Sequence, residues 1–251
     1  MTRVIAHRGA NHLAPQNTIP AFEKAVQLGA QGMENDVHLT RDGEIVICHD
    51  YTIDETSNGT GFISDYSYEE LLRFDFGGYF SEEYRGTKIP TLAECFEVCR
   101  PMALLNVEIK SPRDAHSPIA RRTVALARDM GLMEQLLISS FDKDILAAAR
   151  AADPSVQTAL LYSIDEKECP NLADLLEDYV GFAKSIGVNA LHPFLMYMDE
   201  DYCENCHKAG LRVHPWTANK EFAIEAFAEW GCDGIITDLP DLALEIVKKY
   251  A

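Results

Sequence analysis

The stretch from Val4 to Asp50, VIAHRGANHLAPQNTIPAFEKAVQLGAQGMENDVHLTRDGEIVICHD, decides how the chain reads. It holds two short apolar runs, and each ends in reactive side chains. Val4-Ile5-Ala6 leads directly into His7-Arg8-Gly9, and the run around Met33 carries Glu34 and Asp36. Side chains two apart on a strand share a face, so these two carboxylates project together. Between the runs, Thr18 is placed to cap a helix whose apolar positions Ala21, Phe22, Ala25 and Val26 recur at helical spacing, with Gly29 near its end. Strand, helix and strand in such quick succession is the grammar of a parallel sheet. Beyond them, Asp42-Gly43 reads as a two-residue hairpin turn. Pairing Arg41 with Glu44 and counting back along the ladder then sets Asp36 opposite His49.

Further along, strands are expected at 104–110, 136–139, 158–162, 190–192, 211–216 and 234–237. Helices are expected between and after them, at 119–130, 144–152, 173–186, 200–209, 221–230 and 242–249. With the two opening strands this makes eight parallel strands, the pattern of a (β/α)8 TIM barrel, here a single domain over 1–251. Residues 51–90 break the rhythm. They are polar, rich in Gly, Tyr and Phe, and carry one short helix near 68–72, which reads as a small subdomain inserted after the second strand. No self-similar repeat favours a solenoid.

Active sites of such barrels lie at the C-terminal ends of the strands. Those ends carry His7 and Arg8, Glu34 and Asp36, Glu108 and Lys110, Ser140, His192, Trp216 and Asp238. Glu108 and Lys110 are again two apart and end a strand as apolar as LLNV, a poor pattern for a solvent face. Glu34, Asp36 and Glu108 together supply three oxygen ligands for a hard divalent cation, Mg²⁺ or Ca²⁺. Arginine binds phosphate in a bidentate manner, and histidine titrates near neutrality as a general acid or base must. Each acidic pair taken alone also fits a solvated strand face; their convergence with Arg8, His7 and His49 favours a site. Trp216 fits a pocket wall and core packing equally well. Asp238 is read as a cap for the last helix, and His12, His38 and His116 as exposed side chains.

Of the 251 residues, 47% are hydrophobic, enough for a sizeable core. The formal net charge of -18 argues against a nucleic-acid or anionic-membrane surface. It also means that an anionic substrate needs a cation and local Arg or Lys. His7-Arg8 interrupts the first apolar run at once, unlike a signal peptide, and no run reaches membrane-spanning length. Seven cysteines, an odd count without a disulfide framework, suit reduced thiols and a cytoplasmic protein. Cys203-Glu-Asn-Cys206-His207 matches the C-x-x-C-H haem motif, but it lies on an expected helix, and haem attachment would require an exported chain.

HRGANHLAPQNTIPAF followed by GMENDVHLTRDGEIVICHD resembles the signature of the glycerophosphodiester phosphodiesterase family, approximately HRG, PENT, E-x-D, T-x-DG and HD in that order. NGTG at 58–61, IPTL at 89–92, WTAN at 216–219 and TD at 237–238 continue the likeness through most of the chain. The resemblance implies a metal-dependent hydrolysis of a small glycerophosphodiester to glycerol 3-phosphate and an alcohol. It implies Glu34, Asp36 and Glu108 as metal ligands, His7 and His49 as the acid–base pair, and Trp216 as a pocket wall beside the phosphate-binding Arg8 and Lys110. Gln16 departs from the family, which usually has a glutamate there. Two other readings stand beside it: a barrel enzyme acting on a lysophospholipid or sphingolipid, and a protein that binds phosphodiesters without turning them over.

Overall fold

A computed structural model describes residues 2–110, 117–164, 169 and 171–250. The opening stretch forms β1 (Arg3–His7), α1 (Ile19–Leu28), β2 (Gly32–Leu39) and a short β3 (Ile45–Ile47). After it come α2 (Tyr68–Leu71), α3 (Leu92–Cys99), β4 (Leu104–Ile109), α4 (Ile119–Asp129), β5 (Leu136–Ser140) and α5 (Lys143–Ala152). The chain ends with β6 (Gln157–Tyr162), α6 (Leu172–Ile186), β7 (Ala190–Pro193), α7 (Glu200–Lys208), β8 (Arg212–Val213), α8 (Glu221–Glu229), β9 (Gly234–Thr237) and α9 (Pro240–Val247).

Eight parallel strands pair in the order β8-β7-β6-β5-β4-β2-β1-β9, and β3 adds antiparallel to β2. Three backbone hydrogen bonds draw the two ends together: Asp233 N to Val213 O, Ile236 N to Pro215 O and Ala218 N to Ile236 O. The result is a nearly closed (β/α)8 barrel. β8 is much shorter than its apolar run suggests because Pro215 has no N–H to give to a ladder. Inside the barrel, Ile5, Leu104, Leu137, Ala159, Ala190 and Ile236 pack together beneath Trp216. The alternate residues, Val4, Met33, Val107, Ile138 and Leu160 among them, face outward and bury the apolar stripes of the helices. Gly9 is required where the β1–α1 loop presses on α1: its φ is +80°, and a Cβ there would meet Ala21 at 2.7 Å.

The hairpin register differs from the expected one by a residue. Val37 pairs with Ile47, so Asp36 lies opposite Cys48, whose N–H donates to Asp36 O at 3.0 Å. A two-residue hairpin turn needs left-handed φ at the first central position, and in type I′ at both, but Gly43, the second, alone adopts it, at +87°. The loop therefore spans three residues, Arg41 to Gly43, inside a Thr40 N to Glu44 O hydrogen bond of 3.0 Å. Thr18 does cap α1 by position, yet its hydroxyl donates to Pro15 O instead of receiving a helix N–H. Residues 51–90 build a second small core of Ile53, Ile63, Leu71, Phe76 and Ile89 against Val46 and Cys48. Tyr84 Oη ties this segment to the β1–α1 loop by donating to Leu13 O at 2.9 Å.

All seven cysteines are free and buried. Cys203 and Cys206 lie inside the core on α7, and His207 Nε2 lies 2.9 Å from Asp233 Oδ2 and 4.0 Å from Cys203 Sγ. Among the described residues, no helix is long and apolar enough to cross a membrane.

Candidate active site

Glu34 and Asp36 project from β2, and Glu108 from the neighbouring β4 at the level of Asp36. One oxygen of each lies within 4.8 Å of the others, and all three side chains are buried. Their charges are not balanced alike. Burial favours the neutral form of Asp36, but Lys110 and Arg8 outweigh it and hold its carboxyl far below the usual range. Lys110 Nζ is 2.9 Å from Asp36 Oδ1 and 2.5 Å from Glu108 Oε1, while Arg8 Nε is 3.5 Å from Asp36 Oδ2. Asn17, in the left-handed region at φ 57°, donates from Nδ2 to Asp36 Oδ2 at 2.8 Å. Among the described residues, Glu34 accepts a hydrogen bond only from the Arg8 N–H, at 3.1 Å. Burial, then the charges of Asp36 and Glu108, push its pKa well above the ordinary value, and burial raises that of Glu108 too. Three buried acids with too little positive charge among them suit a divalent cation.

Two imidazoles complete the cavity. His7 Nδ1 is 2.6 Å from Asp238 Oδ1, and its Nε2 is 3.9 Å from Glu34 Oε2. His49 arrives past the end of β3 and places Nδ1 2.7 Å from Asp50 Oδ1. In both rings a carboxylate takes Nδ1–H, which leaves Nε2 as the free acceptor. Burial lowers both pKa values and leaves both rings neutral near pH 7, against the opposing pull of Asp238 on His7 and of Asp36 on His49. His7, Arg8, Glu34, His49, Glu108 and Lys110 line one cavity with Asn106, Phe141, Leu161, Trp216 and Ile236. Arg8 is held at φ 56°, and its guanidinium donates to Gln16 Oε1 at 2.6 Å.

His7, Arg8, Glu34, His49, Glu108, Lys110 and Trp216 thus line this cavity, with Asp36 buried beside Glu34 and Glu108, whereas Ser140 and His192, also at strand ends, are buried and do not line it. Trp216 is half-buried and lines the wall, its Nε1 donating to His192 O at 2.7 Å. Asp238 does not cap α9, whose N-cap is Leu239; it accepts from His7, Asn11 and Asn219. An acid one residue past a barrel strand was the available signal for that role. His38 is buried, not exposed, with Nε2 3.3 Å from His49 O, and His12 is half-buried beside Asp241. His116 lies outside the described residues. Asn17 and Asp50, each holding a site residue, had no signal beyond their place in the opening motif.

The profile of the glycerophosphoryl diester phosphodiesterase family matches residues 7–242. The chain belongs to that family. It is 37% identical over 249 residues to a glycerophosphodiester phosphodiesterase of Caldanaerobacter subterraneus subsp. tengcongensis, covering 99% of this chain and 98% of the relative. Among solved structures, a glycerophosphodiester phosphodiesterase from Agrobacterium tumefaciens superposes with a TM-score of 0.84 at 26% identity, covering 98% of this chain and 100% of the other. A phosphodiesterase from Oleispira antarctica, solved with the product sn-glycerol-3-phosphate, superposes with a TM-score of 0.84 at 27% identity, covering 99% and 97%.

Proposed function

We propose that this member of the family hydrolyses a small glycerophosphodiester to glycerol 3-phosphate and an alcohol, with a divalent cation, Mg²⁺ or Ca²⁺, and a pair of histidines. One observation carries the reading: two members of a buried three-acid cluster, Glu34 and Glu108, share one cavity with two phosphate-seeking cations and two imidazoles. The donor set fits a hard cation, because carboxylate oxygens are its preferred ligands and because burial, then the charges of Asp36 and Glu108, work against an ionised Glu34 that has no cation beside it. Bound by Glu34, Asp36 and Glu108, the ion would supply positive charge and Lewis acidity toward a phosphoryl oxygen.

Arg8 and Lys110 bind the phosphate and offset the negative charge that builds on it as the bond to the alcohol breaks. At one of His7 and His49, the neutral ring's Nε2 takes the proton of the attacking oxygen; the other ring enters the step as the imidazolium, having taken a proton from solvent at Nε2, and gives that proton to the departing alcohol. The attacking oxygen belongs to water or to the substrate's own glycerol hydroxyl, and both routes use the same two proton positions. Asp238 and Asp50 keep the rings oriented with Nε2 toward the cavity. Trp216 forms an apolar wall opposite the charges. Seven buried free thiols suit a reducing cytoplasm.

The test is release of glycerol 3-phosphate from glycerophosphocholine with Mg²⁺ or Ca²⁺ present. Catalytic release supports the reading. No release from glycerophosphocholine, glycerophosphoethanolamine or glycerophosphoglycerol under those conditions overturns it.

A further inference from the structure

The cavity contains a polar group that none of the steps above uses. Asn106 stands on β4 two residues before Glu108 and points to the same interior. Its side chain lines the cavity, the residue is 1% exposed, and neither Oδ1 nor Nδ2 has a hydrogen-bond partner among the described residues. Buried amides are nearly always paired, so an amide left in this state on a cavity wall is prepared for a ligand.

The surroundings say which kind. The cavity is charged on the side of His7, Arg8, Glu34, His49, Glu108 and Lys110, and apolar at Phe141, Leu161, Trp216 and Ile236. A phosphodiester held at the charged side extends one of its organic halves over the apolar wall, where Asn106 is the one amide among the described residues of the lining. An amide presents an acceptor and a donor at once, and a hydroxyl is the group that both accepts and donates. A positively charged head group such as choline gains nothing from it, and a plain alkyl group leaves both amide atoms unpaired. Resting on the proposed hydrolysis, we propose that Asn106 recognises a hydroxyl of the substrate's glycerol half, whose carbons lie against Phe141, Leu161, Trp216 and Ile236. Asn106 then sets the selectivity for glycerol, because a site built to hydrogen-bond a hydroxyl rejects the analogue that lacks it.

The test compares glycerophosphocholine with propylphosphocholine, which keeps the phosphate and choline but lacks both glycerol hydroxyls, using the Mg²⁺-loaded enzyme. Asn106→Leu should lower kcat/KM for glycerophosphocholine by about 10²-fold and leave the affinity for propylphosphocholine, read as its competitive inhibition constant so that the comparison holds on either route, nearly unchanged. The Mg²⁺ concentration for half-activation should stay the same. Equal losses for both compounds, with a higher Mg²⁺ concentration for half-activation, would mean that the amide supports Glu108, and would overturn the assignment. So would no loss on either. If the Leu variant does not fold, Asn106→Ser takes its place. Binding separates this assignment from the hydrolysis itself: calorimetry with Mg²⁺ should show glycerol 3-phosphate bound at least about tenfold more tightly than propyl phosphate, a preference the variant loses. Wild type that keeps this preference but turns over no diester refutes the hydrolysis and upholds the assignment. Equal binding of the two phosphates refutes the assignment whatever the turnover.

Discussion

Asp238 Oδ1 lies 2.6 Å from His7 Nδ1 and joins the last strand of the barrel to the first at the level of the site. Burial would raise the pKa of this carboxyl, but the bonds from His7, Asn11 and Asn219 prevail and hold it at about 2. It therefore stays ionised, accepts Nδ1–H and keeps His7 Nε2 toward Glu34. Asp238→Asn can donate where the aspartate accepts, which turns the ring or changes its tautomer. We expect kcat to fall by roughly 10²-fold or more, with KM and the cation requirement little changed. A rise in KM alone would show that Asp238 serves binding and not the orientation of His7.

The two histidines should be separable by the leaving group. His7→Ala and His49→Ala are each expected to lower kcat by about 10²- to 10⁴-fold while cation binding persists. A substrate with a 4-nitrophenolate leaving group needs no proton on departure. It should rescue the variant lacking the acid and not the one lacking the base. If neither variant loses more than a few-fold, both residues are structural.

Chelation should abolish activity, and added Mg²⁺ or Ca²⁺ should restore it. Glu34→Gln removes the ligand least served by protein donors, so it should weaken cation binding by about 10- to 10²-fold, measured by calorimetry. Full turnover in excess chelator, with no metal found by elemental analysis, would remove the cation from the mechanism.

Much of this was legible because buried parallel strands read as nearly continuous apolar runs, and charged residues at the ends of such runs stand out. LLNVEIK is the clearest case, with Glu108 and Lys110 closing an apolar strand. What escaped depended on backbone angles or on closure of the barrel. Whether Asp42-Gly43 makes a two- or three-residue loop depends on the φ of Asp42, which composition does not specify. Asp238 can face α9 or His7, and only the adjacency of β1 and β9 decides between them. Asn17 reaches Asp36 through a left-handed backbone. α3, absent from the expected elements, carries a sequence signal of its own, because Thr91 and Glu94 form a full capping box at its start.

Residues 51–90 should set which alcohol group is accepted, since loops at this face of a barrel carry specificity. Tyr51 and Tyr79 are about two-fifths exposed (41% and 44%), and Tyr51 stacks edge-on against His38. Tyr51→Ala and Tyr79→Ala should change the ratio of kcat/KM for glycerophosphocholine over glycerophosphoglycerol by about tenfold, with Tm nearly constant. An unchanged ratio in both variants counts against a role in specificity.

The last expectation concerns stability in acid. His192 and His214 are fully buried in the barrel, with His214 Nδ1 2.9 Å from His192 Nε2. One ring donates and the other accepts, so the pair is neutral. Burial, with the positive charge of Arg212, lowers the pKa of His192 to about 3. Burial, His192, Arg212 and Arg3 lower that of His214 well below the ordinary value. In the unfolded chain both titrate near about 6.5. Between pH 6.5 and 3 the unfolded state therefore binds protons that the folded state refuses, so stability is intact above this window and falls as pH drops through it. For His192 alone the loss from neutral pH to about 4.5 is on the order of 2–3 kcal/mol. Glu34 and Glu108 oppose it, because a carboxyl with a raised folded pKa gains stability as it protonates. That contribution is common to wild type and to His192→Gln, which keeps a polar side chain without a titrating one. The difference in their urea-unfolding free energies between pH 7 and about 4.5 isolates the imidazole. Wild type should lose more over this interval than the variant. Equal losses would mean that His192 protonates within the folded barrel, and that the pair is not held neutral by burial.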